Sequence, residues 1–366
     1  MRGLWTLAVQ YAIAVGLGLA GWAAEPTTPS YPDHSQLLAY RDLRGGEHAV
    51  RSADDWAIRR RHILAGMQQA MGPLPDRTKL APLDVQVGER TEGNGFTRLK
   101  ISFAAEEGDR VPAYLFLPTG LKKGERVAAV LALHPTSPLG KGVVVGEGPQ
   151  PNRGYALELA ERGYVVLAPD YPSFGDLAKY DFAASRYVSG TMKGIFNHMR
   201  CVDLLQAREE VDPQRIGVIG HSLGGHNAMF VGVFDERLKV IVSSCGWTPF
   251  HDYYKGDIKG WTSPRYMPRL RDVYGLDPNR VPFDFYEVVA ALAPRAFFSN
   301  SPLRDDNFDV NGVKKGIAAA REVSRLLGAE NQLQVRYPDC AHDFPPEVRR
   351  EAYEFMDKVL SHTPRK

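Results

Sequence analysis

The fold is indicated most clearly by residues 215–231, which read Arg215-Ile-Gly-Val-Ile-Gly-His-Ser-Leu-Gly-Gly-His-Asn-Ala-Met-Phe-Val231. The beginning of this stretch is typical of a buried strand, and the residues from Gly225 onward predict a helix. Ser222 stands between them in the pattern Gly-x-Ser-x-Gly, in which the glycines tolerate a sharp turn that exposes the serine hydroxyl. The pattern alone also arises by chance, but this strand–turn–helix context predicts that Ser222 is a nucleophile.

Eight runs of apolar residues predict the strands of one sheet. Several, such as Val127-Ala-Ala-Val-Leu-Ala-Leu, are continuous apolar stretches, which are typical of parallel strands buried on both faces. A turn-like link between the first two runs indicates an antiparallel hairpin that leads into the parallel part. The runs are Thr97–Phe103, Val111–Pro118, Val127–Pro135, Tyr164–Asp170, Arg215–His221, Val240–Cys245, Arg295–Ser301 and Gln332–Tyr337.

Helical patterns fill the gaps between these runs, so strand and helix alternate along the chain. This alternation predicts an α/β domain over residues 96–362, with an eight-stranded, mostly parallel, doubly wound sheet. Residues 25–95 form an N-terminal extension, in which the amphipathic pattern of Asp54–Met71 predicts a helix on the outside of the domain. Its Arg59-Arg60-Arg61 run is interpreted as a solvated face. The other predicted helices are Tyr155–Arg162, Ser185–Glu210, Gly225–Phe234, Gly312–Leu327 and Pro346–Leu360.

A long insertion, residues 247–290, follows the sixth predicted strand. About fifty residues separate Cys245 from Arg295, far more than an ordinary strand-to-helix loop. The insertion is predicted to be a cap or lid over the site, unless most of its rings only pack it against the domain. It holds ten aromatic residues where the average composition predicts about four: Trp247, Phe250, Tyr253, Tyr254, Trp261, Tyr266, Tyr274, Phe283, Phe285 and Tyr286.

The partners of the nucleophile are expected on loops at the carboxyl ends of the later strands. His342 follows the last predicted strand and is the expected base. Asp305 lies nearest the end of the seventh strand and is the favoured acid, with Asp306 and Asp309 as competitors. An acid after the sixth strand, with Asp252 as the first candidate, remains open.

An oxyanion hole needs two backbone N–H groups that point at the developing negative charge. One is expected from Leu223, the residue after the nucleophile. The other should come from the loop after the third strand, where Pro135 has no N–H to donate. Thr136 is therefore the predicted second donor.

With these residues placed, the chain resembles the α/β-hydrolase superfamily, and within it the secreted esterases similar to dienelactone hydrolases and acetyl xylan esterases. The resemblance covers about residues 95–362 and depends on the Ser222 turn, on Ala168-Pro-Asp-Tyr-Pro-Ser-Phe-Gly175 and on Ala341-His-Asp-Phe344. It implies ester or lactone hydrolysis without a cofactor. Dienelactone hydrolases proper carry a cysteine nucleophile, and the acid loop usually has a glycine where this chain has Ser301-Pro302.

The composition excludes several classes of protein. Basic and acidic side chains number 45 and 43 without a block of like charge, so no nucleic-acid partner is expected. Three cysteines are too few for a disulfide scaffold, and buried free thiols are expected, although one disulfide remains open. Neither H-E-x-x-H nor a Walker-type loop occurs in the sequence, and no G-x-G-x-x-G occurs after residue 24, so no metal or cofactor is predicted.

The N-terminus has the pattern of a targeting segment. Arg2 precedes an uncharged apolar stretch, small residues follow at Gly21 and Ala23, and a Pro-rich segment comes next. This order predicts a cleaved signal peptide over residues 1–24 and a secreted or periplasmic protein with no membrane association after cleavage. The alternative is a retained membrane anchor.

Together these features predict a serine hydrolase that cleaves small-molecule or carbohydrate esters through an acyl-enzyme. One alternative is a serine peptidase of the prolyl-oligopeptidase type that lacks the propeller, because about 70 residues upstream cannot hold four blades of about 40 residues each. Another is a catalytically inactive hydrolase-fold binding protein, which would not require intact Ser222 and His342. The sequence leaves the oligomeric state open.

Overall fold

The computed structural model describes residues 29–365, and the signal peptide predicted for residues 1–24 lies outside them. The described residues contain one nine-stranded sheet and a separate antiparallel pair formed by the first two strands. The strands are β1 Ala39–Arg41, β2 Glu47–Ala49, β3 Gln86–Glu92, β4 Phe96–Glu106, β5 Asp109–Pro118, β6 Val127–Leu133, β7 Val165–Pro169, β8 Val211–His221, β9 Leu238–Ser244, β10 Ala296–Asn300 and β11 Leu333–Arg336.

The large sheet has the spatial order β11-β10-β9-β8-β6-β7-β5-β4-β3. Its strands from β11 to β7 are parallel, whereas β5, β4 and β3 are antiparallel to their neighbours. The mostly parallel sheet is thus confirmed, but the predicted count of eight strands is wrong. The additional strand β3 is exposed along its whole length and contains a single apolar residue, Val87, so no hydrophobic pattern marks it.

Helices cover both faces of the sheet, as a doubly wound fold requires. Buried residues of α2 and α8 pack on one face, and those of α1, α3, α4, α6 and α7 pack on the other. Helix α3 begins five residues later than predicted, because Ser189 caps it by accepting a hydrogen bond from the N–H of Met192. The helices are α1 Ala53–Met71, α2 Tyr155–Glu161, α3 Gly190–Ala207, α4 Leu223–Phe234, α5 Arg269–Asp272, α6 Phe285–Leu292, α7 Val310–Leu326 and α8 Pro346–Val359.

The central strand β6 shows why its sequence is apolar throughout. Leu131 and Leu133 point into the layer that contains α3 and α4, while Val130 and Ala132 point into the layer of α2 and α8. Since successive side chains of a strand alternate between faces, both layers take apolar residues from it. This double burial fixes the carboxyl end of the strand, where the Thr136 loop begins.

The predicted N-terminal helix is present as α1, but the interpretation of its arginine run is wrong. Arg59 is fully buried and forms an ion pair with Glu287 of α6. Burial acts to raise the pKa of Glu287, yet the charge of Arg59 and the hydrogen bond with His34 hold that pKa below its usual value. Arg60 donates to the backbone oxygens of Val233 and Ala291. The helix therefore contacts the α/β domain through two of its three arginines.

The insertion packs mainly as core. Six of its ten aromatic residues are buried, among them Trp247, Phe250 and Phe283, which join the hydrophobic layer of α4 and α6. Tyr254 stands apart because 56% of it is exposed. Most of these rings therefore pack the insertion against the domain, which is the alternative that the sequence left open. A cap over the site stays a prediction.

None of the helices within residues 29–365 is both long and apolar enough to cross a membrane.

Candidate active site

Ser222 lies on a sharp turn between β8 and α4. Its φ of 55° and ψ of −117° lie outside the ordinary regions for a residue with a Cβ. The flanking glycines are required by close backbone contacts, because a Cβ on Gly220 would lie 2.1 Å from the oxygen of Gly224. A Cβ on Gly224 would in turn lie 2.0 Å from the oxygen of Leu133. The turn is therefore the strained elbow that the sequence predicts.

The structure brings His342 together with Asp305. The Nδ1 atom of His342 lies 2.9 Å and 3.0 Å from the two carboxylate oxygens of Asp305. The same carboxylate accepts the backbone N–H groups of Asn307 and Phe308, at 2.9 Å and 3.1 Å, which fixes its orientation. Of the competing acids, Asp306 is exposed, whereas Asp305 is buried.

Since Nδ1 donates to Asp305, the Nε2 atom of His342 is left to accept a proton. His342 and Ser222 line the same cavity, which has a volume of about 260 Å³. The cavity lies at the carboxyl ends of the parallel strands, where α/β sheets carry their sites. Its lining consists of Pro135, Thr136, Ser137, Pro138, Val143, Gln150, Arg153, His221, Ser222 and His342.

Of the two predicted oxyanion donors, Thr136 lines this cavity and Leu223 directly follows Ser222, which lines it. Leu223 is the first residue of α4, so its N–H has no carbonyl partner within the helix. Thr136 lies in the loop after β6, and buried His134 holds this loop. The Nδ1 atom of His134 lies 2.7 Å from the oxygen of Pro135, and Nε2 accepts the N–H of Tyr171 at 2.9 Å. Burial lowers the pKa of His134 and keeps this bridging tautomer neutral.

A second histidine, His221, directly precedes the nucleophile but is not placed to act as the base. It is buried, and its Nδ1 atom lies 2.9 Å from the hydroxyl of Ser244. Burial, with smaller contributions from the charges of Arg153 and His342, lowers the pKa of His221 well below its usual value. Its ring lies 4.9 Å from that of His342, so it forms a neutral wall of the cavity.

Sequence reasoning missed the residues that hold the His342 loop. Arg153 donates to the backbone oxygen of His342 at 3.2 Å and to the carboxylate of Asp343 at 2.5 Å. Asn152 donates to the other oxygen of that carboxylate at 2.6 Å. Burial acts to raise the pKa of Asp343, but these hydrogen bonds outweigh it and keep the pKa low. The one signal in the sequence was the charged residue Asp343, which directly follows the expected base His342.

Cys245 follows β9 and contacts the same loop. Its thiol donates to the backbone oxygen of Asp343 at 3.2 Å, and Asn300 donates to this oxygen at 2.8 Å. All three cysteines are free, and both Cys245 and Cys201 are buried, whereas Cys340 is half-buried.

One atom each of Cys245, Asp305 and His342 could serve in a metal site, since these atoms lie within 4.8 Å of one another. The Nδ1 atom of His342 and the carboxylate of Asp305 are already engaged in a hydrogen bond with each other. Burial raises the pKa of the Cys245 thiol well above its usual value, so it stays protonated, whereas a metal ligand must be a thiolate. The three side chains fit a hydrogen-bonded group better than an open ligand set.

A serine on a strained strand-to-helix elbow, followed along the chain by an aspartate and a histidine in mutual contact, defines the class of α/β-hydrolases. The model of the Alpha/beta hydrolase family matches residues 148–354. This match spans more than half of the chain, which therefore belongs to the alpha/beta hydrolase family. The predicted fold and family are confirmed.

Curated relatives share most of the chain. YtaP of Bacillus subtilis, which carries the name of a hydrolase, is 28% identical over 303 residues, covering 79% of this chain and 96% of the relative. The carbohydrate esterase MZ0003, from an unknown prokaryotic organism, is 24% identical over 339 residues, covering 79% of this chain and 78% of the relative.

Solved structures share the fold. A glucuronoyl esterase from Solibacter usitatus superposes with a TM-score of 0.66 at 18% identity, covering 92% of this chain and 100% of that one. A protein from Bacteroides fragilis that carries the name of an acetyl xylan esterase superposes with a TM-score of 0.59 at 18% identity, covering 83% of each chain. At these identities the likeness concerns the architecture.

Proposed function

We propose that this chain is a serine esterase that cleaves carboxylic esters of carbohydrates. The observation that carries the proposal is the geometry of three residues. Ser222 stands on a strained elbow and shares a cavity with His342, whose Nδ1 atom is bonded to the buried carboxylate of Asp305. A base held in this way is suited to activate a serine hydroxyl.

The reaction begins when Ser222 Oγ attacks the ester carbonyl carbon and passes its proton to His342 Nε2. The carbonyl oxygen becomes an oxyanion, which the N–H groups of Leu223 and Thr136 stabilise. When the intermediate collapses, the bond to the alcohol breaks and His342 returns the proton to the leaving oxygen. Water then attacks the acyl-enzyme with His342 again acting as the base, and this step releases the acid and restores Ser222.

The choice of carbohydrate esters draws on the relatives. A carbohydrate esterase matches most of this chain, and fungal 4-O-methyl-glucuronoyl methylesterases match at 24% to 26% identity over shorter stretches. The cavity beside Ser222 is small and lined by several polar side chains, which suits a short acyl group on a hydroxyl-rich alcohol.

The test combines a covalent probe with a substrate panel. A fluorophosphonate should label the wild-type protein at Ser222, and the Ser222→Ala protein should remain unlabelled and lose activity by at least about 10⁴-fold while keeping its fold. Acetylated sugars, uronate methyl esters and peptide amides should then be compared as substrates. Turnover of amides alone, or full activity of Ser222→Ala on an ester, would contradict the proposal.

We also propose that residues 1–24 direct export and are removed, on the strength of the apolar stretch and the small residues near Ala23. N-terminal sequencing of the mature protein should begin within a few residues of Ala24. Retention of Met1 on membrane-bound protein would indicate an anchor instead.

A further inference from the structure

A second cavity, of about 370 Å³, lies on the other side of the His342–Asp305 pair. Asp305 contributes to its lining, whereas His342 lines the cavity of the nucleophile. A single hydrogen-bonded pair of side chains therefore joins the walls of the two cavities.

Tyr254 provides an aromatic surface in this second cavity. The residue is 56% exposed, whereas six of the insertion's ten aromatic residues are buried. The ring stands at 89° to buried Tyr253, with 4.8 Å between the centroids, and its hydroxyl donates to Asn307 at 3.2 Å. These contacts hold an exposed aromatic face in a fixed orientation. Such a face binds the C–H side of a sugar ring by the same apolar contact that pairs aromatic side chains.

The backbone that carries this ring is strained. Tyr254 has a φ of 43° and Lys255 a φ of 59°, and two consecutive residues with a Cβ seldom adopt this left-handed conformation. Strained residues persist where the surrounding structure fixes them, and they are frequent at ligand sites. Here the strain accompanies an aromatic ring that is presented to solvent.

The polar lining of the cavity suits hydroxyl groups without a negative charge. Asn307 and Asn311 contribute amides, and the carboxylates of Asp306 and Asp309 are exposed. Carboxylates and amide oxygens accept hydrogen bonds from sugar hydroxyls, while the two carboxylates repel an anionic ligand. Lys255 is the one cation in the lining.

We infer that this second cavity is a subsite for a neutral sugar unit of the substrate, with Tyr254 as its stacking surface. The inference rests on the proposed esterase function and specifies it, because it assigns the sugar beyond the ester to a named surface. It also predicts that an uncharged sugar chain is preferred over an acidic one.

The first experiment compares kcat/KM for acetylated xylotetraose with kcat/KM for 4-nitrophenyl acetate, which is too short to reach the second cavity. Tyr254→Ala should lower the ratio of the two values about tenfold, whereas Tyr254→Phe, which keeps the ring, should retain most of it. Val273→Ala is the matched control, because Val273 is an exposed apolar residue of the same insertion that lines neither cavity. An unchanged ratio in Tyr254→Ala would overturn the inference.

The second experiment does not depend on ester hydrolysis. Unesterified xylotetraose and tetragalacturonic acid are titrated into the full chain and followed by ligand-observed NMR. Binding of xylotetraose that weakens about tenfold in Tyr254→Ala supports the subsite even if no ester is cleaved. If xylotetraose does not bind the wild-type protein, or if tetragalacturonic acid binds equally well, the subsite for a neutral sugar is wrong while the esterase proposal still stands.

Discussion

Ser222 and Cys245 occupy equivalent positions at the ends of two neighbouring parallel strands. Their preceding residues, His221 and Ser244, are paired across β8 and β9, and both turns have a positive φ, 55° and 48°. Ser222 is half-buried and lines a cavity, whereas the thiol of Cys245 is buried under the oxygen of Asp343. The same kind of turn therefore presents the nucleophile at Ser222 and supports the His342 loop at Cys245.

The difference lies in what covers each position. The chain after Ser222 enters α4 at once, and the His342 loop leaves its side chain open to the cavity. The chain after Cys245 enters the long insertion, and the same loop lies over its thiol. A strained turn after a strand is therefore a candidate site only when the facing loop leaves its side chain free.

The largest effect is expected at the acid that orients the base for Ser222. Asp305→Asn keeps the shape of the side chain but donates to His342 Nδ1, which stabilises the wrong tautomer and should lower kcat by about 10⁴-fold. Asp306→Asn is the matched control. Because the side chain of Asp306 is exposed, this substitution should lower kcat far less. Steady-state kinetics of both variants decides the matter, and a larger loss in Asp306→Asn would assign the role to the neighbouring residue.

A smaller effect is expected from Arg153, which holds the loop that both positions face. Arg153→Met removes the hydrogen bonds to His342 and Asp343, so the imidazole shifts and kcat should fall about 10-fold to 100-fold. Arg208→Met, which breaks a similar ion pair with Glu210 far from the cavity, is the control. Equal kinetics for wild type and Arg153→Met would show that the loop keeps its position without the arginine.

The thiol of Cys245 should matter least for the chemistry. Cys245→Ala removes one weak hydrogen bond to the oxygen of Asp343, which Asn300 also serves, so kcat should fall by less than about tenfold. Burial raises the pKa of Cys245, and iodoacetamide should therefore leave it unmodified in the native protein. Peptide mass spectrometry checks this point, and rapid modification of Cys245 would mean that the loop opens readily.

The buried residue His226 offers a test through the pH dependence of the free energy of unfolding. His226, one turn beyond Ser222 in α4, is buried, and burial lowers its pKa to about 3. Between pH 6.5 and about pH 3, His226 binds a proton in the unfolded chain but not in the folded chain. The free energy of unfolding therefore falls as the pH falls through this range. One such group contributes about 1.4 kcal/mol per pH unit.

His226→Phe removes this group and places a ring among Trp261 and Tyr266. The slope of the unfolding free energy between pH 6 and pH 4 should become shallower, as urea titrations at several pH values would measure. An unchanged slope would mean that His226 is protonated in the folded chain.

The sequence alone was sufficient to predict the structure where one local pattern determines both the backbone conformation and the chemistry of the site. The elbow around Ser222 follows from glycines whose Cβ atoms would collide with neighbouring backbone, and buried parallel strands follow from their apolar runs. Asp305 was favoured over Asp306 by its distance from the strand and by the apolar Phe308 that follows it after two residues. The contact with His342 depends on how two loops far apart in sequence fold towards each other.

Other features lacked a local signal. The pairing of Arg59 with Glu287 joins positions 228 residues apart, so a run of three arginines looked like a solvated surface. Arg153 and Asn152 support the His342 loop from a segment about 190 residues earlier in the chain. The insertion's rings looked alike in sequence, and only the fold distinguishes buried Trp247 from exposed Tyr254.

Strand β3 has a consequence for how these molecules behave at high concentration. An exposed sheet edge offers unpaired N–H and C=O groups to any strand of another chain. Here the edge carries Glu89, Arg90 and Glu92, and its register shifts between Val87 and Arg90. At the opposite edge, β11 is only four residues long. Charge and an irregular ladder on one side and shortness on the other make both edges poor templates, which protects the sheet from edge-to-edge aggregation.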